Sequence, residues 1–206
     1  DDYIQSIGTV KLDPNDPDNT IYVGTGETWT RNSVSYGNGL YKTTDGGSNW
    51  KEIGLENSER MAGIVITPNN SQEIYVAALG ALWGDNEERG VFKSTDGGLT
   101  WGKILYVNAK TGCADIMMDP RNPSILYASM WEFRRTGWSF DSGGDNSALY
   151  KSEDSGKTWK KIHNGFPEGK LGRMGIALAP SNPDIVYTVI ESEEKKDKGL
   201  YRSKDM

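Results

Sequence analysis

Glycoside hydrolysis by the usual route needs two carboxyl groups about 5–10 Å apart across the scissile bond. Three glutamates stand where they could supply such groups: Glu27, Glu87 and Glu132. Each lies among residues suited to holding a sugar. Trp29 and Arg31 follow the first; Trp83 and Arg89 flank the second; Trp131, Arg134, Arg135 and Trp138 surround the third. Tryptophan faces stack on the apolar faces of pyranose rings, and guanidinium and carboxylate groups bond hydroxyls. Arg60 and Arg173 lie on segments that lead into the same regions. None of the glutamates stands in a recognisable catalytic motif. Taken singly, a loop tryptophan more often packs an edge, and a run such as Glu87-Glu88-Arg89 is more often a solvated face. Taken together, these ten tryptophans and arginines mark a candidate ligand-binding face.

Several other chemistries are excluded by residue count. His163 is the only histidine, so a histidine-based triad or a multi-histidine metal site cannot be built. Gly24-Thr25-Gly26 follows a strand-like run but lacks the third glycine and the helix of a dinucleotide fingerprint, and no Walker loop occurs. No cofactor and no metal is expected. Cys113 is the only cysteine, which rules out an internal disulfide. Its apolar surroundings assign it to the core. The net charge of −6 comes from interspersed charges, without the basic stripe of a nucleic-acid binder. No apolar run approaches the ~20 residues of a membrane span, so no membrane insertion is expected.

The elements that must position these residues are repeated. Gly39-Leu40-Tyr41-Lys42-Thr43-Thr44-Asp45-Gly46-Gly47-Ser48-Asn49-Trp50 recurs as Gly90 to Trp101 and as Ala148 to Trp159, and a fourth copy begins at Gly199. The shared core is Ser/Thr-x-Asp-x-Gly-x-Thr/Asn-Trp. Its aspartates are Asp45, Asp96, Asp154 and Asp205, spaced by 51, 58 and 51 residues. A long fixed period is the signature of a repeat architecture. Within each copy an apolar pair ends a strand, and the aspartate folds back onto backbone N–H groups ahead of it. Glycine supplies a positive φ. Trp50, Trp101 or Trp159 opens the next strand and fills the layer between sheets. A second marker keeps the same register: strand-like runs ahead of Pro14, Pro68, Pro120 and Pro180, each followed by another.

The reading is therefore all-β: one segment over residues 1–206 of four-stranded antiparallel blades, at about 7–54, 61–106, 112–163 and 171–206. The last blade lacks its tryptophan strand. No helix beyond a turn or two is expected. Alternate turns of such a blade fall on opposite faces, so the aspartate turns share one face. The long loops after the second strands share the other, and loops on a rigid scaffold commonly carry function.

The repeated motif resembles the Asp-box, or bacterial neuraminidase repeat, found in sialidases, xyloglucanase-type glycoside hydrolases, sortilin-type receptors and many secreted bacterial proteins. The resemblance covers essentially the whole chain and implies an incomplete β-propeller, since such boxes lie between the third and fourth strands of a blade. It implies an extracellular, cell-surface or periplasmic setting, with the remaining propeller blades supplied in cis. Sialidase chemistry would need an arginine cluster with a Tyr/Glu pair; Arg60, Arg134, Arg135 and Arg173 could supply arginines, but no motif maps residue by residue. The aspartates of xyloglucanase-type enzymes likewise find no matching local pattern. Three functions stay open: a propeller binding a glycan or protein ligand on its loop-rich face, a glycoside hydrolase with part of its active site in other blades, or a structural segment of a large surface protein.

Overall fold

The computed structural model describes residues 5–204; Asp205, the fourth box aspartate, lies outside them. The chain forms four antiparallel sheets in sequence order. The first holds β1 (Ile7–Leu12), β2 (Ile21–Thr25), β3 (Leu40–Thr43) and β4 (Lys51–Glu52). The second holds β5 (Met61–Thr67), β6 (Asn70–Ala78), β7 (Gly90–Ser94) and β8 (Gly102–Leu105). The third holds β9 (Thr111–Met118), β10 (Leu126–Arg135), β11 (Phe140–Ser142), β12 (Ala148–Ser152) and β13 (Lys160–Lys161). The fourth holds β14 (Leu171–Leu178), β15 (Val186–Ser192) and β16 (Gly199–Ser203). Helical structure among the described residues is confined to two three-residue 3-10 turns, Glu56–Ser58 and Lys195–Asp197. The fold is an incomplete β-propeller. The first strands β1, β5, β9 and β14 pack on one another in turn, which places them innermost.

The core lies between sheets. Tyr75, Ala77 and Val91 of the second sheet meet Cys113, Ile116, Leu126 and Met130 of the third in one buried cluster. Cys113 is fully buried, and burial pushes its thiol pKa well up, as expected of a core cysteine. Polar contacts reinforce the apolar ones. Ser129 Oγ donates to the Met174 carbonyl at 2.8 Å, across the third and fourth sheets.

The three described boxes are built alike. Asp45, Asp96 and Asp154 each accept the backbone N–H four residues ahead, at 2.9, 2.9 and 2.8 Å. Each also accepts a hydroxyl two residues behind, from Thr43, Ser94 or Ser152. The turn needs two consecutive residues at positive φ, so the position before the expected glycine is left-handed too. Gly46 and Gly97 fill it in two copies, and Ser155 does so at φ 59 in the third. The tryptophans do not open the fourth strands but precede them; β4 and β13 begin one residue later and are only two residues long. The second and third boxes also latch onto the sheet before them. Trp101 Nε1 donates to the Ile53 carbonyl at 2.7 Å, Lys42 Nζ to Gly97 at 3.3 Å, and Lys93 Nζ to Ser155 at 3.1 Å.

These hydrogen bonds favour the charged carboxylates. Bonds from the flanking hydroxyls and amides hold all three aspartates at a pKa of about 2, below the ordinary 3.8. A depressed folded-state pKa contributes stability above the unfolded value and loses it as pH falls through the folded one. The melting temperature therefore falls between about pH 4 and pH 2. Asp96→Ala lowers it by roughly 2–4 °C at neutral pH, the scale of one lost side-chain cap in a domain this size, and flattens part of that acid slope. Differential scanning fluorimetry across the window measures both, and an unchanged slope in Asp96→Ala rejects the assignment.

Candidate ligand-binding face

The ends of the second strands and the starts of the first strands meet on the face opposite the boxes. The expected residues gather there, in a different order of depth. Trp131, Glu132, Arg134 and Arg135 were expected on a loop; they lie on β10, which outgrows its partners and pairs its far end with β11. Strand alternation then sends Trp131 and Phe133 inward. They sit 4.6 Å apart, with Phe140 edge-on to Trp131 at 6.0 Å.

Arginines continue this stack on both sides. The Arg173 guanidinium lies 5.3 Å from the Trp131 ring and 5.8 Å from the Trp29 ring. Its Nη1 donates to the Thr28 carbonyl at 3.1 Å, a contact between residues 145 positions apart. The loop after β2 thus reaches from the first sheet to the fourth. Beyond Phe133 lie Arg60 at 5.0 Å and Arg89 at 4.8 Å. Trp131, Arg60 and Arg89 are 2 %, 0 % and 1 % exposed. They form the floor of this face and present no surface of their own to a ligand.

The exposed tryptophans are Trp29, Trp83 and Trp138, at 68 %, 50 % and 91 %. The loops of two of them are linked by Arg134. Its guanidinium pairs with Asp85 and also donates to the Trp83 carbonyl at 3.4 Å, which ties the second sheet's loop to the hairpin that carries Trp138. Arg135 covers Phe140 at 5.5 Å. Arg31 pairs with Glu27 four residues earlier, and that hydrogen bond holds the Glu27 carboxyl below its ordinary pKa.

The three candidate glutamates are not brought together. Glu27 is held by Arg31, and Glu87 is exposed with its carbonyl taking Lys103 Nζ. Glu132 accepts the Asn146 N–H at 3.1 Å and its Nδ2 at 2.9 Å. Two other carboxylates share a groove of about 740 Å³ with Arg173 and Lys198: Asp115 on β9 and Glu191 on β15. Asp115 accepts the Ile116 N–H at 2.9 Å and the Ile176 N–H of the next sheet at 2.8 Å. Burial pushes its carboxyl pKa up, against the pull of those two amides and of Arg173. Glu191 Oε2 accepts Ser142 Oγ at 2.5 Å and the Arg173 N–H at 3.2 Å. The sequence reading passed over both. A charged residue inside the otherwise apolar run Gly112-Cys113-Ala114-Asp115-Ile116 was the available signal for the first, since burying it requires partners. No group of metal-ligating side chains occurs among the described residues, and none of their helices is long and apolar enough to cross a membrane.

Comparison with known proteins places this architecture. Over 216 residues the chain is 26 % identical to the xyloglucanase Xgh74A of Acetivibrio thermocellus, covering 89 % of this chain and 22 % of that protein. It is 29 % identical over 160 residues to a xyloglucanase of Hypocrea jecorina, covering 76 % of this chain and 17 % of that one. The chain thus spans about a fifth of the length of the curated relatives it matches. Among solved structures, an ancestral GH74 enzyme superposes with a TM-score of 0.68 at 20 % identity, over 97 % of this chain and 23 % of that one, a likeness of fold. The family model for sortilin, neurotensin receptor 3, matches residues 38–206. With three box-locked sheets and a match over residues 38–206, the chain belongs to the Sortilin-Vps10 family.

Proposed function

We propose that the loop-rich face binds a neutral plant-type glycan chain, as part of a secreted, xyloglucanase-like protein. The observation that carries this reading is the exposure of Trp29, Trp83 and Trp138 above a floor of buried aromatic and arginine side chains. Exposed indoles are costly to leave in water and stack well on pyranose faces. The similarity to xyloglucanases supports a β-glucan backbone as the ligand class. Trp83 and Trp138 are the primary platforms, because Arg134 fixes their loops to each other.

The test is titration calorimetry with xyloglucan oligosaccharides. Trp83→Ala and Trp138→Ala should each weaken binding about tenfold, the order of one lost stacking contact of 1–2 kcal/mol, and leave the melting temperature within a degree or so. Unchanged affinity in the double variant rejects the reading.

A hydrolytic version is supported by the groove that holds Asp115 and Glu191 beside Arg173. In that version further blades in cis complete the cleft. Support for those blades comes from Val189 and Leu200, 58 % and 67 % exposed on the fourth sheet. A cavity of about 800 Å³ between β13 and β16 is lined by Ile162. That residue holds the place in its repeat that Ile53, acceptor of Trp101, holds in the first. Release of reducing ends from xyloglucan by the longer protein, abolished by Glu191→Gln, is the expected result; hydrolysis unaffected by Glu191→Gln removes this groove from the chemistry.

A further inference from the structure

The floor of the face carries more positive charge than its protein partners can satisfy. Arg60 Nε donates to the Gly80 carbonyl at 2.8 Å, but Nη1 and Nη2 are buried with no protein partner. Arg89 donates from Nη2 to Ala81 and Gly84, at 2.5 and 2.8 Å, and from Nη1 to Lys110 at 3.3 Å; its Nε is buried and unpartnered. Both guanidiniums lie about 5 Å from the same Phe133 ring. Neither makes an ion pair among the described residues.

The charges acting on this site can be counted. Arg60 and Arg89 both feel the carboxylate of Glu59, while Arg173, which also acts on Arg60, shares its groove with Asp115 and Glu191. The buried guanidiniums of Arg60 and Arg89 thus face one carboxylate, an excess of one positive charge. Burial first, and then Arg89, push the Arg60 pKa down to about 9, and burial brings Arg89 down to about 10, so both stay charged at neutral pH. An uncompensated buried charge is strongly unfavourable. A water molecule supplies an acceptor without supplying charge. The buried, unpaired acceptor Asn86 Oδ1 is likewise neutral. Arg60 is wholly buried, so a sugar ring cannot reach its terminal nitrogens while the fold is intact.

We propose that a small monovalent anion of halide size binds at the Nη1 and Nη2 atoms of Arg60, next to Arg89, as a buried counterion of the native fold. Chloride, at its ordinary concentrations, matches this site in charge and can accept from both nitrogens. The anion neutralises the excess charge and accepts the two orphaned donor groups. It would also stiffen the Phe133 platform on which Trp131 and Arg173 rest, and so links anion binding to the exposed face.

Thermal unfolding of the intact chain tests this. Chloride is titrated from zero at constant ionic strength, with gluconate, too large to be buried there, as the balancing anion. The melting temperature should rise saturably with chloride. At a hundredfold excess over Kd the rise should be roughly 5–11 °C, from about 2.7 kcal/mol of linkage and 2–4 °C per kcal/mol for a chain this long. Arg60→Met should melt independently of chloride. If that variant fails to fold, Arg89→Met should shift the midpoint to higher chloride, whereas Glu59→Gln should keep the response. In crystals soaked in bromide, an anomalous peak should lie within hydrogen-bonding distance of Arg60. A flat titration of the unaltered protein overturns the proposal, as does an equal response in Arg60→Met. A saturable response to formate but not to chloride also overturns it, and points to a ligand carboxylate instead.

Discussion

Trp131→Ala should lower the unfolding free energy by about 3–5 kcal/mol, the range for deleting a buried tryptophan side chain. The residue is 2 % exposed and touches Phe133, Phe140 and Arg173. Removing it opens a cavity under the face and takes away one of the two rings that sandwich Arg173. The Thr28 to Arg173 contact then loses its support, and the loop carrying Trp29 is freed. Urea unfolding followed by circular dichroism reads the stability. Faster hydrogen exchange in residues 26–38 reads the loop. A loss below about 1 kcal/mol would mean that the aromatic floor does not hold this face together.

A second large effect should come from the opposite sort of change. Gly112→Ala should cost about 3 kcal/mol, the upper end of ordinary overpacking. Gly112 pairs with Trp131 in the third sheet. A Cβ there would meet the Leu79 carbonyl oxygen at 2.3 Å and the Leu79 Cα at 2.7 Å. Both are backbone atoms just past the end of β6 and cannot rotate away, so the two sheets must separate. The chain is not at positive φ here, and the effect is therefore steric. Chemical denaturation measures it. A variant within 1 kcal/mol of the parent would show that the second and third sheets slide freely at their inner edge.

A glycine facing a neighbouring backbone and a glycine in a locked turn look alike in a sequence. Gly112 lies against the Leu79 backbone at an ordinary φ, whereas Gly98 sits in its box turn at φ 96. Likewise the alternation along Trp131-Glu132-Phe133-Arg134 is a strand pattern, although a loop was expected after Met130. Its pairing with β11 is what turned it into strand.

The sequence by itself determined the repeat, the strand pairs and the locked turns. Each of those rests on contacts between residues close in the chain: an aspartate oxygen reaches an amide four residues on whatever the rest of the molecule does. The period then commits the hairpins to stack, since one sheet cannot bury both of its faces alone. The tertiary structure decided which candidate residues form the face and at what depth. Arg60 and Arg89 read as polar loop residues and are buried; Arg173 reaches Thr28 from 145 residues away; Asp115 is drawn to Ile176 of the next sheet. These placements depend on the angle between successive sheets and on the paths of loops that cross the face. Both are set by packing among residues far apart in the chain, which no local pattern encodes.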